Sequence, residues 1–144
     1  MTILNPYLTF LGNCEAAFTF YKTIFGGEFT YLGRFGDMPP QEGVTISEAD
    51  KNKIMHISLP INDTTTLMGS DTGGDWGAKI VTGNNISLAL GVNSKSEADR
   101  LFKALSDGGV VTMPMEDTFW GDYFGMCTDQ FNINWMISYN NNTP

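Results

Sequence analysis

The chain runs through one pattern twice, and that repetition limits the folds open to it. Tyr21-Lys22-x-x-Phe25-Gly26-Gly27 in the first half is answered by Phe102-Lys103-Ala104-Leu105-Ser106-Asp107-Gly108-Gly109 in the second, with one residue inserted. Each half has an apolar, β-rich run entering a helix and a double glycine leaving it. Glycine suits a helix C-terminus because it adopts the left-handed conformation without a Cβ penalty.

The flanking segments fill out the pattern. Leu4 to Leu11 reads as a strand broken by Gly12-Asn13. Asn13 is placed to cap a helix with Glu15 in its first turn, and Ala16, Ala17, Phe20, Tyr21 and Ile24 recur at helical spacing. Strands are expected at Glu28 to Phe35, Ile54 to Ile61 and Thr64 to Met68, with a loop at Gly36 to Gln41 and a turn or short helix at Ser47 to Lys53. The second half begins with a strand at Ile86 to Val92 and a helix capped by Ser94, carrying Ala98, Leu101, Phe102 and Leu105. Strands at Val110 to Met113, Trp120 to Cys127 and Ile133 to Tyr139 follow.

The order is therefore βαβββ, given twice: module one at 1–71, a glycine-rich linker at 72–85 and module two at 86–144, together one α+β domain. One helix covers one face of a four-stranded sheet and leaves the other apolar face bare. Two modules are expected to pair into a curved mixed sheet with a cup between them, a shape that binds small molecules.

Charge excludes some partners. Sixteen acidic and eight scattered basic residues give a net charge of −8, with no basic patch for nucleic acid or an anionic membrane surface. No apolar stretch approaches the ~20 residues that span a bilayer, and MTILNPYLTF lacks the basic start and apolar run of a signal peptide. A cytoplasmic protein is expected. Cys14 and Cys127 lack metal-type spacing, and a disulfide between them is left open. DTGGDWG, at 71–77, lacks the ending of a phosphate loop.

Few residues carry chemistry. His56 is the single histidine. It alternates with Ile54 and Ser58, opposite Met55, Ile57 and Leu59, so it is expected to face the cup. It is either a general base or donor to a bound anion, or a hydrogen-bonded strand histidine with no chemistry. Arg34 is either a carboxylate or phosphate ligand at the cup rim or a solvated arginine. Trp120, Tyr123, Phe124, Phe131 and Trp135 are either core and interface aromatics or an aromatic wall, to which Trp120 and Trp135 are assigned. Asp122 and Asp129 read as turn residues that cap backbone amides, and Asn132 as a residue able to take positive φ. Cys127 has no base beside it and reads as a small buried hydrophobe.

Three stretches resemble PhnB-like members of the vicinal-oxygen-chelate superfamily, which includes glyoxalase I, extradiol dioxygenases and bleomycin-resistance proteins: NPYLTFLGNCEAAFTFYKTIFGGE at 5–28, MHISLPINDTTTLMGSD at 55–71, and DGGVVTMPMEDTFWGDYFGMCTDQFNINWMI at 107–137. The resemblance implies a homodimer and a small-molecule ligand. In metal-dependent members, four inward strand positions supply His and Glu ligands. Here they fall at Pro6 or Tyr7, Leu67 or Met68, Asn85 to Ser87, and Met136. One histidine rules out a two-histidine facial triad within a subunit. His56 with Asp71 or Glu48 is left open as a weak divalent site, and no other cofactor is expected. The resemblance thus implies a small-molecule binding protein whose ligand pocket includes Tyr7, Arg34, Met68, Trp120, Trp135 and Met136. Two alternatives are a lyase or isomerase acting on a small carbonyl compound with His56 as base, and a drug-sequestering resistance protein. A methyltransferase is excluded, because neither a glycine-rich methyl-donor motif nor a parallel α/β pattern is present.

Overall fold

The computed structural model describes residues 1–39, 43, 45–72 and 79–141. The chain divides into two compact units, Met1–Val81 and Thr82–Pro144. The first contains β1 (Tyr7–Phe10), α1 (Cys14–Phe25), β2 (Tyr31–Arg34), a 3-10 turn (Phe35–Asp37), α2 (Glu48–Lys51), β3 (Ile54–Pro60) and β4 (Thr66–Asp71). The second contains β5 (Leu88–Gly91), α3 (Lys95–Ser106), β6 (Val110–Asp117), β7 (Asp122–Thr128) and β8 (Asn134–Asn140). Each unit holds a four-stranded mixed sheet, in the orders β1-β4-β3-β2 and β5-β8-β7-β6. The fold is α+β, and the βαβββ repeat is realised strand for strand. The expected loop at 36–41 and linker at 72–85 lie partly outside the described residues. No helix among the described residues is long and apolar enough to cross a membrane.

In the first unit the outer strand β1 runs parallel to β4, and the remaining pairs are antiparallel. Helix α1 buries Cys14, Ala17, Phe18, Tyr21 and Ile24. Their spacing makes one stripe along the helix, and Phe18 meets Phe10 and Tyr21 edge to face. Phe18, not Ala16, is the centre of this face, and Gly69 of β4 makes room for its ring. The strand residues beneath α1 are Leu8, Phe10, Ile57, Leu59 and Leu67, all buried. Burying such a side chain stabilises by about 1.5–3 kcal/mol.

The start of α1 differs from expectation. Asn13 makes no side-chain cap. The carboxylate of Asp71, from β4, accepts from the backbone N–H of Gly12 at 2.8 Å and of Cys14 at 3.0 Å, and its other oxygen accepts from Ile54 N–H at 2.9 Å. A long-range carboxylate therefore replaces the local cap. Ser94 does cap α3, accepting from the Glu97 N–H at 3.1 Å.

In the second unit, α3 buries Ala98, Leu101 and Leu105 against a sheet face that holds Cys127, Trp135 and Ile137. Strand β6 runs on to Asp117 through two register shifts. It lies at a sheet edge, where the missing N–H of Pro114 costs least. Asn132 takes φ 69°, as its sequence position predicts. Asp129 accepts from Phe131 N–H at 2.7 Å and Ile133 N–H at 3.1 Å. Asp122 instead accepts the indole N–H of Trp120 at 2.9 Å.

Both cysteines are buried free thiols. Burial pushes the Cys127 thiol up to about 11, helped by the Asp129 charge. Burial, then Asp71 and Glu15, push Cys14 up as well. A thiol whose folded value is raised stabilises the fold fully below its ordinary value of 9.0 and loses that contribution as pH rises through the folded value. Native protein at about pH 8 is therefore expected to resist a thiol-disulfide reagent until it is unfolded, and its stability is expected to fall between pH 9.0 and about 11. Rapid native labelling of both thiols would contradict this packing.

Candidate functional site

Side chains alternate across a strand, so the face of the first sheet turned away from α1 can be read from the register. Tyr7, Met68, Ser58 and Tyr31 lie opposite one another across the four strands. The next row holds Thr9, Ser70, His56 and Gly33. Five of these eight carry a hydroxyl, and His56 is the only one with an imidazole.

His56 lies between two tyrosine rings, with centroids at 5.7 Å from both Tyr7 and Tyr31. Its Nε2 lies 2.9 Å from Ser58 Oγ and its Nδ1 3.4 Å from Tyr7 Oη. A hydroxyl both donates and accepts, so these two partners satisfy either tautomer and either charge state of the ring. Gly33 completes the arrangement. A Cβ there would stand 2.8 Å from Tyr31 Oη and 2.9 Å from the ring, so the missing side chain gives Tyr31 its place beside His56.

Ser58 stands beside His56 as its alternation predicts, whereas Tyr31 and Gly33 are not among the pocket residues expected from the sequence. The signal was present in their i, i+2 spacing with one another. The alternation fails on the other side of His56. A register shift between Gly33 and Arg34 pairs Arg34 with Ile54, and Ile54, expected on the histidine's face, is fully buried.

The other expected pocket residues divide. Tyr7 and Met68 share the His56 face and are direct register partners. Arg34 does not join them. Its guanidinium grips Glu15 of α1 through two bonds, at 2.9 and 2.7 Å, and donates to the Asn52 carbonyl at 2.8 Å. The hydrogen bond from Arg34 holds the Glu15 carboxyl below its usual value. In the second unit, Met136 lies on the helix-free face, opposite Ala89 and Met126. Trp135, its neighbour, is turned to the α3 side, 2% exposed, with its indole N–H donated to Asp129 at 2.8 Å. Trp120 lies outside the sheet in the β6–β7 turn, half-exposed and edge to face with Phe119 and Phe124.

The resemblance assigns metal ligands to inward strand positions of each unit, and the register shows which side chains face one another there. In the first unit Tyr7 faces Met68, and in the second Ala89 faces Met136. Neither a phenol with a thioether in the first unit nor a methyl group with a thioether in the second offers the carboxylate and imidazole donors that a hard or borderline divalent ion takes. The carboxylates considered as partners for His56 are engaged elsewhere. Asp71 holds three backbone amides, and Glu48 pairs with Lys51. Among the described residues, no three His, Cys, Asp or Glu side chains come together. The donor set does not fit the superfamily's metal.

Comparison with known proteins places the architecture. Residues 3–137 match the family model of the glyoxalase/bleomycin resistance protein/dioxygenase superfamily. Protein YjdN of Escherichia coli (strain K12) is 30% identical over 141 residues, covering 94% of this chain and 93% of that protein. The crystal structure of protein PA1353 from Pseudomonas aeruginosa superposes with a TM-score of 0.83 at 38% identity, covering 97% of this chain and 98% of that one. The PhnB protein from Bacillus cereus shares the fold, with a TM-score of 0.73 at 20% identity over 96% of this chain and 99% of that one. The chain belongs to the glyoxalase/bleomycin resistance protein/dioxygenase superfamily, and PhnB-like proteins are among its structural neighbours.

Proposed function

We propose that this chain is a small-molecule binding protein that works without a tightly held catalytic metal, and that its ligand lies on the helix-free face of the first sheet, against His56. The observation that carries the reading is the setting of that histidine: two tyrosine rings beside it, a hydroxyl at each ring nitrogen, and Met68 in the adjoining row. Flat rings and a soft thioether suit a planar, partly apolar body, while the imidazole and hydroxyls fix its polar end. A homodimer fits the exposed apolar side chains of edge strand β6, including Val110, Val111 and Met113. The second reading, a lyase or isomerase with His56 as base, draws on the relay Tyr7–His56–Ser58.

The single histidine makes a direct test available. Its imidazole gives one set of NMR signals, free of overlap from others. Titration with planar aromatic compounds is expected to shift those signals saturably in the native protein. Gly33→Ala displaces Tyr31 and is expected to weaken binding by about tenfold, the scale of one lost contact of about 1.4 kcal/mol. Shifts confined to other parts of the chain would overturn the placement. Turnover of a carbonyl substrate that collapses in His56→Ala would establish the second reading instead.

A further inference from the structure

The charge pattern of the His56 face narrows the ligand class. The strand positions of this face carry no Asp, Glu, Lys or Arg: β1 brings Tyr7, β2 brings Tyr31, β3 brings His56 and Ser58, and β4 brings Met68 and Ser70. Among the described residues, the titratable groups in contact with His56 are Tyr7 and Tyr31. A cationic ligand would find no countercharge here. A dianion such as a phosphate ester would find at most one positive charge, and the chain's net charge of −8 does not help it. A monoanion is matched once a proton is on the imidazole. The hydroxyls at both ring nitrogens accept from the doubly protonated ring without rearranging the backbone.

We propose that this face selects a planar aromatic monocarboxylate and binds it together with a proton taken up by His56. The proposal rests on the reading of this face as the binding surface. The aromatic body lies against the tyrosine rings and Met68. The carboxylate accepts from the Tyr7 and Ser58 hydroxyls, which themselves accept from the imidazolium, so its charge is matched across one shared hydroxyl, a match that a neutral amide does not make. Affinity therefore falls as pH rises, although the ligand stays ionised throughout.

The test compares benzoate with its neutral isostere benzamide on the intact chain, at about pH 5.5 and about pH 8.5, either side of the ordinary histidine titration. Binding is read from the His56 signals and by calorimetry in buffers of different ionisation enthalpy. Benzoate is expected to bind about tenfold or more tightly at the lower pH, with net proton uptake, and benzamide to bind weakly with no pH dependence. In His56→Gln the pH dependence of benzoate binding is expected to vanish while the fold is retained. Equal binding of benzoate and benzamide, flat with pH, would overturn the monocarboxylate proposal and leave the binding face standing. No shift of the His56 signals by either compound would overturn both.

Discussion

Asp71→Ala is expected to destabilise the first unit by roughly 3 to 5 kcal/mol, a large share of the stability of a domain this size. Asp71 is 3% exposed, and its carboxylate holds three backbone amides: Gly12 and Cys14 at the mouth of α1, and Ile54 at the start of β3. Removing it strands two buried donors, Cys14 and Ile54, and a part-buried one, Gly12, which is worse than never having had the bonds. Asp71→Asn separates charge from shape. One amide oxygen can still serve Gly12 and Cys14, but its NH2 would then face the Ile54 N–H, donor against donor. A loss of about 2 kcal/mol is expected. Chemical denaturation measures both. A loss below about 1 kcal/mol for Asp71→Ala would contradict this role. Because Ile54 stands two residues before His56, the same substitution is expected to loosen the binding face.

Gly109→Ala is expected to be nearly as damaging, for a different reason. A Cβ at Gly109 would lie 2.1 Å from the Thr128 carbonyl oxygen and 2.9 Å from the Asp129 backbone. The three nearest atoms are all backbone of Thr128 and Asp129, so no flexible side chain can yield and the end of β7 must shift. A cost of about 3 kcal/mol or more follows. Gly108 has room but a φ of 75°, so Gly108→Ala is expected to cost only about 1 kcal/mol. Equal effects at the two positions would contradict this division. The double glycine thus combines two requirements, a left-handed turn first and a close backbone approach second.

The repeat made the architecture legible. Two helices each ending in paired glycines, with three strands behind each, leave little choice of topology. The face of His56 was legible upward, through Ser58, but not downward, because a bulge at Gly33–Arg34 leaves no trace in periodicity. Adjacent Trp135 and Met136 could not both face one pocket, since strand neighbours point to opposite sides. The aromatic content of the segment hid this, and burial shows which of the two is core. Arg34 falls on the helix side by the same alternation, three residues from Tyr31, where Glu15 meets it. Asp71 as the cap of α1 was not legible at all. The bonds span 59 and 57 residues of sequence, and only pairing β4 beside β1 brings them together.

On the proposed function, the positions that the resemblance assigns to metal ligands face a bound molecule instead of an ion. Elemental analysis after exposure to Zn, Mn, Ni and Fe(II), followed by desalting, tests it most directly. With Tyr7 and Met68 in one unit and Ala89 and Met136 in the other, the expected content of each metal is below about one tenth of an equivalent per chain. Close to one equivalent, retained through desalting and lost in His56→Ala, would overturn the metal-free reading and make His56 a ligand.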